Sequence, residues 1–155
     1  MTRMIGTYEC KIDAKGRFAM PVPLRKQLIQ ALEEGLVLKR SVFQPCLELY
    51  PMAAWRAVMQ KVNRLNRFVK KNNDFVRLFT AGVKRIAVDG HTRILVSKDL
   101  IDFAGLHKEI VLSSSIDILE VWDKQRYEDA IRDTAVDFSE LAEEVMGAIP
   151  DDGLS

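Results

Sequence analysis

Two stretches of this chain set an aspartate and an arginine four residues apart between apolar runs. The first is Tyr8-Glu9-Cys10-Lys11-Ile12-Asp13-Ala14-Lys15-Gly16-Arg17-Phe18-Ala19-Met20-Pro21. The second is Ile86-Ala87-Val88-Asp89-Gly90-His91-Thr92-Arg93-Ile94-Leu95-Val96. An aspartate at the head of a tight turn accepts hydrogen bonds from backbone amides within it, and Gly16 supplies the positive φ such a turn demands. Each stretch therefore predicts a β-hairpin with a charged tip. The arginine at the far lip offers a planar fork of donors, suited to phosphate oxygens or to guanine O6 and N7. A two-stranded tip is also narrow enough to enter the major groove of DNA. Lys11, Lys15 and Arg17 cluster at the first tip, with Arg25 and Lys26 just behind it; Arg93 is the counterpart at the second. Asp13 and Asp89 read as turn formers that position the arginines, because a carboxylate close to phosphate is repulsive. The competing reading is an internal ion pair that only stiffens each turn, and spacing alone does not separate the two.

Other chemistry lacks a constellation. His91 and His107 have no partner at ligand spacing, and Cys10 and Cys46 lie too far apart to suggest a zinc knuckle. His91 sits at a tip, within reach of DNA, whereas His107 reads as surface. No glycine-rich phosphate loop or nucleophile elbow is present. The hydroxyls of Ser113, Ser114 and Ser115 have no visible base partner. No enzyme, cofactor or metal is expected.

The elements that hold the tips can be read in order. Pro21-Val22-Pro23 stops the first hairpin and starts a helix with Leu24, Leu28, Ala31 and Leu32 on one face and Gly35 as its stop. Leu36 to Arg40 and Cys46 to Tyr50 follow as strands. Pro51 opens a helix with Trp55, Val58, Met59 and Val62 as its core stripe. Its continuation, Asn63 to Lys71, carries Arg64, Arg67, Lys70 and Lys71, a second phosphate contact or, the favoured reading, a solvated face. Asn72-Asn73-Asp74 predicts a break, with a short helical piece from Phe75 to Phe79 and Gly82 closing it. Then the order restarts: strand Val83 to Val88, tip, return strand, and a short helix capped by Ser97. Glu109-Ile110-Val111-Leu112 repeats the strand at Leu36, and Leu119-Glu120-Val121-Trp122 repeats Leu47-Glu48-Leu49-Tyr50 at offsets falling from 76 to 72. The chain is a tandem duplication. Units this small bury poor cores alone and should pack on one another. After Asp137, Leu141, Val145 and Met146 have helical spacing, and Pro150 to Gly153 should fray.

At 155 residues and 48% hydrophobic content, one ordinary domain or two small ones are expected. No apolar run approaches the roughly 18 residues of a membrane span, the N-terminus lacks a secretory pattern, and two cysteines make no disulfide framework. A soluble cytoplasmic protein is expected. The net charge of +1 conceals a split: residues 1–86 hold 17 Lys+Arg and 6 Asp+Glu, giving +11, and residues 87–155 hold 6 and 16, giving −10. That asymmetry suits an anionic partner for the first half, or head-to-tail attraction between copies.

The run Tyr8 to Arg17, followed by Pro21, Leu24 and Arg25, resembles the start of the bacterial MraZ proteins. Phe103-Ala104-Gly105-Leu106-His107-Lys108-Glu109-Ile110-Val111-Leu112 and Glu120-Val121-Trp122-Asp123 are similar to that family's second repeat, so the resemblance spans about residues 5 to 135. It implies an α+β fold of two SpoVT-AbrB-like swapped-hairpin β-barrel modules packed with short helices. The corresponding division is a first repeat at 5–53, a connecting helical segment at 54–80, a second repeat at 81–125 and a helical tail at 126–155. It further implies a DNA-binding transcriptional regulator, cytoplasmic and on the nucleoid, assembled as a ring. The expected targets are promoter repeats of the division and cell-wall gene cluster, including the chain's own promoter, and the expected effect is repression. The family's Asp-x-x-x-Arg signature maps onto Asp13 and Arg17 and onto Asp89 and Arg93. One departure is Thr92 where the first copy has Gly16, which predicts a different second turn and a less certain aim for Arg93. The alternative function is an antitoxin-type or scaffolding protein, whose AbrB-like half serves mainly for dimerisation.

Overall fold

The computed structural model describes residues 4–135 and 137–150; the expected fraying at 151–153 lies outside them. The chain divides after Lys124 into two compact units. In the first, β1 (Thr7–Lys11), β2 (Arg17–Ala19), α1 (Val22–Gln27), α2 (Ile29–Glu34), β3 (Leu36–Arg40) and β4 (Leu47–Pro51) form the leading copy. Two helices, α3 (Met52–Val62) and α4 (Lys70–Thr80), lead to the second copy. That copy is β5 (Lys84–Ile86), β6 (Arg93–Leu95), α5 (Lys98–Ala104), β7 (Glu109–Ser115) and β8 (Ile118–Asp123). Two helices complete the chain, α6 (Lys124–Ala135) and α7 (Phe138–Gly147). The fold is α+β, built on a duplicated strand order.

The two copies are interleaved. A six-stranded antiparallel sheet runs β1-β7-β8-β4-β3-β5, and β2 pairs with β6 in a separate two-stranded ribbon. The order is palindromic under exchange of the copies: β1 answers β5, β3 answers β7 and β4 answers β8. Each copy lends its first strand to the other, so β1 lies on β7 and β5 on β3. The approximate two-fold axis passes between Glu48 and Glu120 in the sheet and between Phe18 and Ile94 in the ribbon. This corrects the expected closed hairpins. The chain does reverse at each tip, but the flanking strands pair with different partners, and each tip is a corner between sheet and ribbon.

Strand alternation explains the layers, since successive side chains face opposite sides. Leu36, Leu38, Leu47, Leu49, Ile110, Leu112, Leu119 and Val121 enter one core with Phe18, Met20, Ile94 and Val96 of the ribbon region and Leu24, Leu28, Leu100 and Ala104 of the helices. On the opposite face Val37 and Tyr50 meet Ala54, Trp55 and Val58 of α3. Lys39 also faces that side; it is buried, 3.5 Å from Glu48, with its ammonium 4.4 Å from the Phe79 ring centre. Burial holds its pKa below the usual lysine value, partly offset by Glu48.

Element boundaries differ from expectation at four places. The helix after Pro23 is two pieces meeting at Leu28, although Leu24 and Leu28 are buried as foreseen. The helix from Pro51 stops at Val62, and Asn72-Asn73-Asp74 lies inside α4 rather than breaking it. The asparagines act on the preceding loop instead: Asn73 accepts from Arg67 Nε at 2.7 Å, and Asn72 Nδ2 donates to the Asn66 carbonyl at 2.9 Å. Strand β5 covers only Lys84–Ile86 of the run expected at 83–88. Ser97 stands at the N-cap of α5 in extended conformation, but its side chain makes no capping bond.

Candidate nucleic-acid interface

The two tips share one backbone geometry. At the first, Asp13 N–H donates to the Arg17 carbonyl at 2.8 Å and Gly16 N–H to the Asp13 carbonyl at 3.0 Å. At the second, Asp89 N–H donates to the Arg93 carbonyl at 3.4 Å and Thr92 N–H to the Asp89 carbonyl at 3.0 Å. Gly16 has φ 84° and Thr92 φ 55°. The expectation of a different second turn is therefore corrected: Thr92 adopts the left-handed conformation of Gly16 despite its branched side chain, while Gly90 is not the positive-φ residue. Such a conformation costs an L-residue about 1–2 kcal/mol. It is held by the aspartate, which bonds the turn from inside.

Each carboxylate is used fully. Asp13 Oδ1 accepts from the amides of Lys15 and Arg17, both at 2.9 Å, and its Oδ2 accepts from Arg17 Nε at 3.1 Å. Asp89 Oδ1 accepts from the amides of His91 at 2.8 Å and Arg93 at 2.9 Å, and its Oδ2 from Arg93 Nε at 2.9 Å. The Arg17 amide, then its guanidinium, holds Asp13 below the usual carboxylate pKa, and the Arg93 amide does the same for Asp89. Both aspartates stay ionised at neutral pH. Each ion pair takes only Nε, and the terminal nitrogens of the two partly exposed guanidinium groups make no hydrogen bond among the described residues.

Strand pairing then joins what the sequence held apart. In the ribbon Arg17 lies opposite Leu95, Phe18 opposite Ile94, and Ala19 opposite Arg93. Directly opposed residues point to the same side, so Arg17, Ala19, Arg93 and Leu95 share the outward face. Phe18 and Ile94 point inward at 1% and 0% exposure. Diagonal neighbours in such a pair lie roughly 7–8 Å apart. Two arginines, one from each copy, thus stand on a single narrow face at a spacing of about two base-pair steps, taking 3.4 Å per step along a strand.

The cations around this face are unequal. Lys11 and Lys15 are exposed at the first tip, where the second copy has Ala87 and His91. Sequence reading missed Lys108: it is exposed, its carbonyl accepts the Ile12 N–H at 3.0 Å, and with His107 it borders the depression that holds Asp13 and Ala14. Only the β1–β7 pairing, which crosses the copies, brings it there. His107 is a surface residue, its Nδ1 3.1 Å from Asp123 Oδ1. Cys10 and Cys46 are free thiols, pushed by burial to pKa values of about 11 and about 12. No group of three or more His, Cys, Asp or Glu among the described residues is arranged to hold a metal ion, and no helix among them is long and apolar enough to cross a membrane.

Fold and face together define a class: a tandem-repeat α+β protein whose interleaved copies present one two-arginine ribbon. The family model described as "MraZ protein, putative antitoxin-like" matches residues 4–78 and again 79–148. Curated relatives called transcriptional regulator MraZ align over nearly the whole chain. The relative from Flavobacterium psychrophilum is 62% identical over 152 residues, 98% of this chain and 97% of its own length. That from Christiangramia forsetii is 58% identical over 155 residues and all of both chains, and that from Phocaeicola vulgatus 35% over 146 residues, 94% of each. The chain belongs to the MraZ family.

Proposed function

We propose that this chain is a sequence-specific DNA-binding transcriptional regulator whose contact surface is the outward face of the β2–β6 ribbon. The observation that carries the reading is the pair of aspartate-clamped arginines on one face. Each clamp engages Nε and leaves the terminal nitrogens free, the atoms that form a bidentate pair with guanine O6 and N7. Lys11, Lys15 and Lys108 add phosphate contacts on the side of the first tip, while Asp13 and Asp89 hold the arginines rather than touch DNA. The naming of the relatives as transcriptional regulators supports the same conclusion.

The resemblance adds the finer expectations: action on repeats in the promoter of the division and cell-wall cluster, the chain's own promoter included, as a repressor on the nucleoid. One chain offers few cations, and phosphate contacts weaken with salt at a slope of about −0.9 each. A ring of identical chains on repeated elements raises the effective concentration and offsets this. Two features support self-association. The charge split is +11 against −10 across the halves. Apolar side chains are also left exposed in each unit, Val42, Phe43, Phe75 and Leu78 in the first and Phe138, Leu141, Val145 and Met146 in the second.

The test is equilibrium binding to the duplex immediately upstream of the gene. Arg17→Ala and Arg93→Ala should each weaken binding by roughly 5- to 150-fold, the weight of one bidentate base contact. Lys15→Ala should lower the salt slope by about one with little effect on sequence preference. Equal binding by wild type and Arg17→Ala refutes the site, and no binding by wild type at low salt refutes the function. A monomer in sedimentation at micromolar concentration and low salt refutes the ring.

A further inference from the structure

Besides its arginines, the outward face of the ribbon carries Ala19 and Leu95. Leu95 is 57% exposed, whereas Ile94 and Val96 on either side are buried at 0% and 2%. Scattered surface leucines are ordinary. This one stands directly opposite Arg17 and two residues along the strand from Arg93, on a face that otherwise offers two guanidinium forks and an alanine. Whatever engages both forks covers Leu95 and removes it from water. A leucine pressed on base-edge donors and acceptors leaves them unpaired, which is costly. The apolar group of the major groove is the C5-methyl of thymine.

Resting on the DNA reading above, we propose that Leu95 is a specificity-determining residue that reads a thymine methyl beside the bases engaged by the arginines. Its counterpart under the approximate two-fold is Ala19, whose single methyl offers much less apolar area. Methyl recognition is therefore one-sided. The arginines alone would fit a site in either direction, and Leu95 makes one direction better.

The experiment compares two versions of the duplex upstream of the gene, one synthesised with thymine and one with uracil throughout, which differ only in the C5-methyls. Wild type should bind the uracil duplex at least about fourfold more weakly, the weight of one buried methyl, and more so where several copies bind together. Leu95→Ala should bind both duplexes alike, close to the level of wild type on uracil. Leu95→Met, which keeps an apolar side chain, should retain the preference. Because Leu95 is largely exposed, neither variant threatens the fold. A wild-type ratio near one overturns the proposal, as does a Leu95→Ala protein that keeps the wild-type ratio, since the methyls are then read elsewhere. Loss of all binding by wild type on both duplexes would instead remove the DNA reading itself, and the proposal with it.

Discussion

Gly16 and Thr92 occupy the same position in two equivalent turns, which makes a reciprocal test possible. Thr92 holds φ 55° with a branched side chain, a strain of about 1–2 kcal/mol. Glycine removes that strain but costs roughly 0.5–1 kcal/mol in unfolded-chain entropy. Thr92→Gly should therefore stabilise the chain by about 0.5–1 kcal/mol, a rise in Tm of roughly 1–4 °C at this size. Gly16→Ala meets the opposite balance. Its Cβ would suffer the same left-handed penalty at φ 84° and would lie 2.7 Å from the Val96 carbonyl oxygen. Even favourable C–H···O contacts keep about 3.3–3.6 Å. Relief requires moving the Val96 backbone, whose N–H donates to the Gly16 carbonyl at 2.8 Å. Adding the strain to an overpacking cost of about 1–3 kcal/mol, less the entropy regained, gives a destabilisation of roughly 2–3 kcal/mol. Urea denaturation at one fixed protein concentration measures both variants, fixed because association shifts apparent stability. If Thr92→Gly is destabilised by more than half a unit of that scale, about 0.5 kcal/mol, or Gly16→Ala matches wild type, the equivalence of the two turns is wrong.

The remaining predictions concern the tips and the loop before α4. Asp13 and Asp89 have folded pKa values below the ordinary 3.8, so their contribution to stability is present above that value and disappears as pH falls through the folded pKa. Carboxyl NMR titration should show both tips intact down to about pH 4, and Arg17→Ala should leave Asp13 still lowered, because the backbone amide is the leading cause. A tip that loosens between pH 7 and 5 contradicts this. Asp13→Ala removes the acceptor of two backbone amides and the arginine clamp yet makes the face more positive, so dissociation from DNA should speed up while association at low salt holds or rises; stopped-flow kinetics separates the two rates. Asn73 bonds both the Arg67 guanidinium and, at 2.6 Å, the Arg67 carbonyl. Asn73→Ala should cost about 1 kcal/mol and accelerate hydrogen exchange across residues 63–69, and unchanged exchange there would show that the loop is held by something else.

Patterns within one element were legible in the sequence, and partners between elements were not. The apolar runs at Leu36 and Ile110, the alternation at Leu47 and Leu119, and the helical face of Leu24 and Leu28 each point to a buried surface. The duplication itself follows from their repeated order. Alternation at Tyr8 to Lys11 states which side chains share a face, but not that the strand pairs with Glu109 to Ser113 across the duplication. A turn flanked by two strands looks like a hairpin whether or not the strands pair. That ambiguity hid the convergence of Arg17 and Arg93 on one ribbon and the presence of Lys108 beside the first tip. Asn72-Asn73-Asp74 misled for another reason. Asparagine bonds backbone groups wherever it sits, and here it serves the loop from inside the helix. Thr92 shows a tertiary setting overriding a local preference: Asp89 bonds the turn from within, and the strand beyond it is fixed by Ile94 in the core.

Interleaving explains why the site needs both copies. Arg17 is placed by a strand paired with β6, and β6 begins with Arg93 itself, so each arginine, though clamped by its own copy's aspartate, stands on a ribbon that needs both copies. Phe18 and Ile94 anchor the ribbon over a core fed by both halves, and a unit of half this length has too little buried surface to hold such a ribbon alone. The exchange also makes the backbone of the face nearly two-fold symmetric while leaving its side chains free to diverge. Lys15 stands against His91, Lys11 against Ala87, and Ala19 against Leu95. On the proposed DNA reading, the symmetric part, two clamped guanidinium forks, fits either direction along a duplex. The asymmetric part, the extra cations of the first tip and an exposed leucine at the same Arg17 end of the ribbon, would favour one direction over its reverse. Duplication thus provides two matched donors at fixed spacing, and on that reading divergence within the duplicated frame turns a symmetric grip into a directional one.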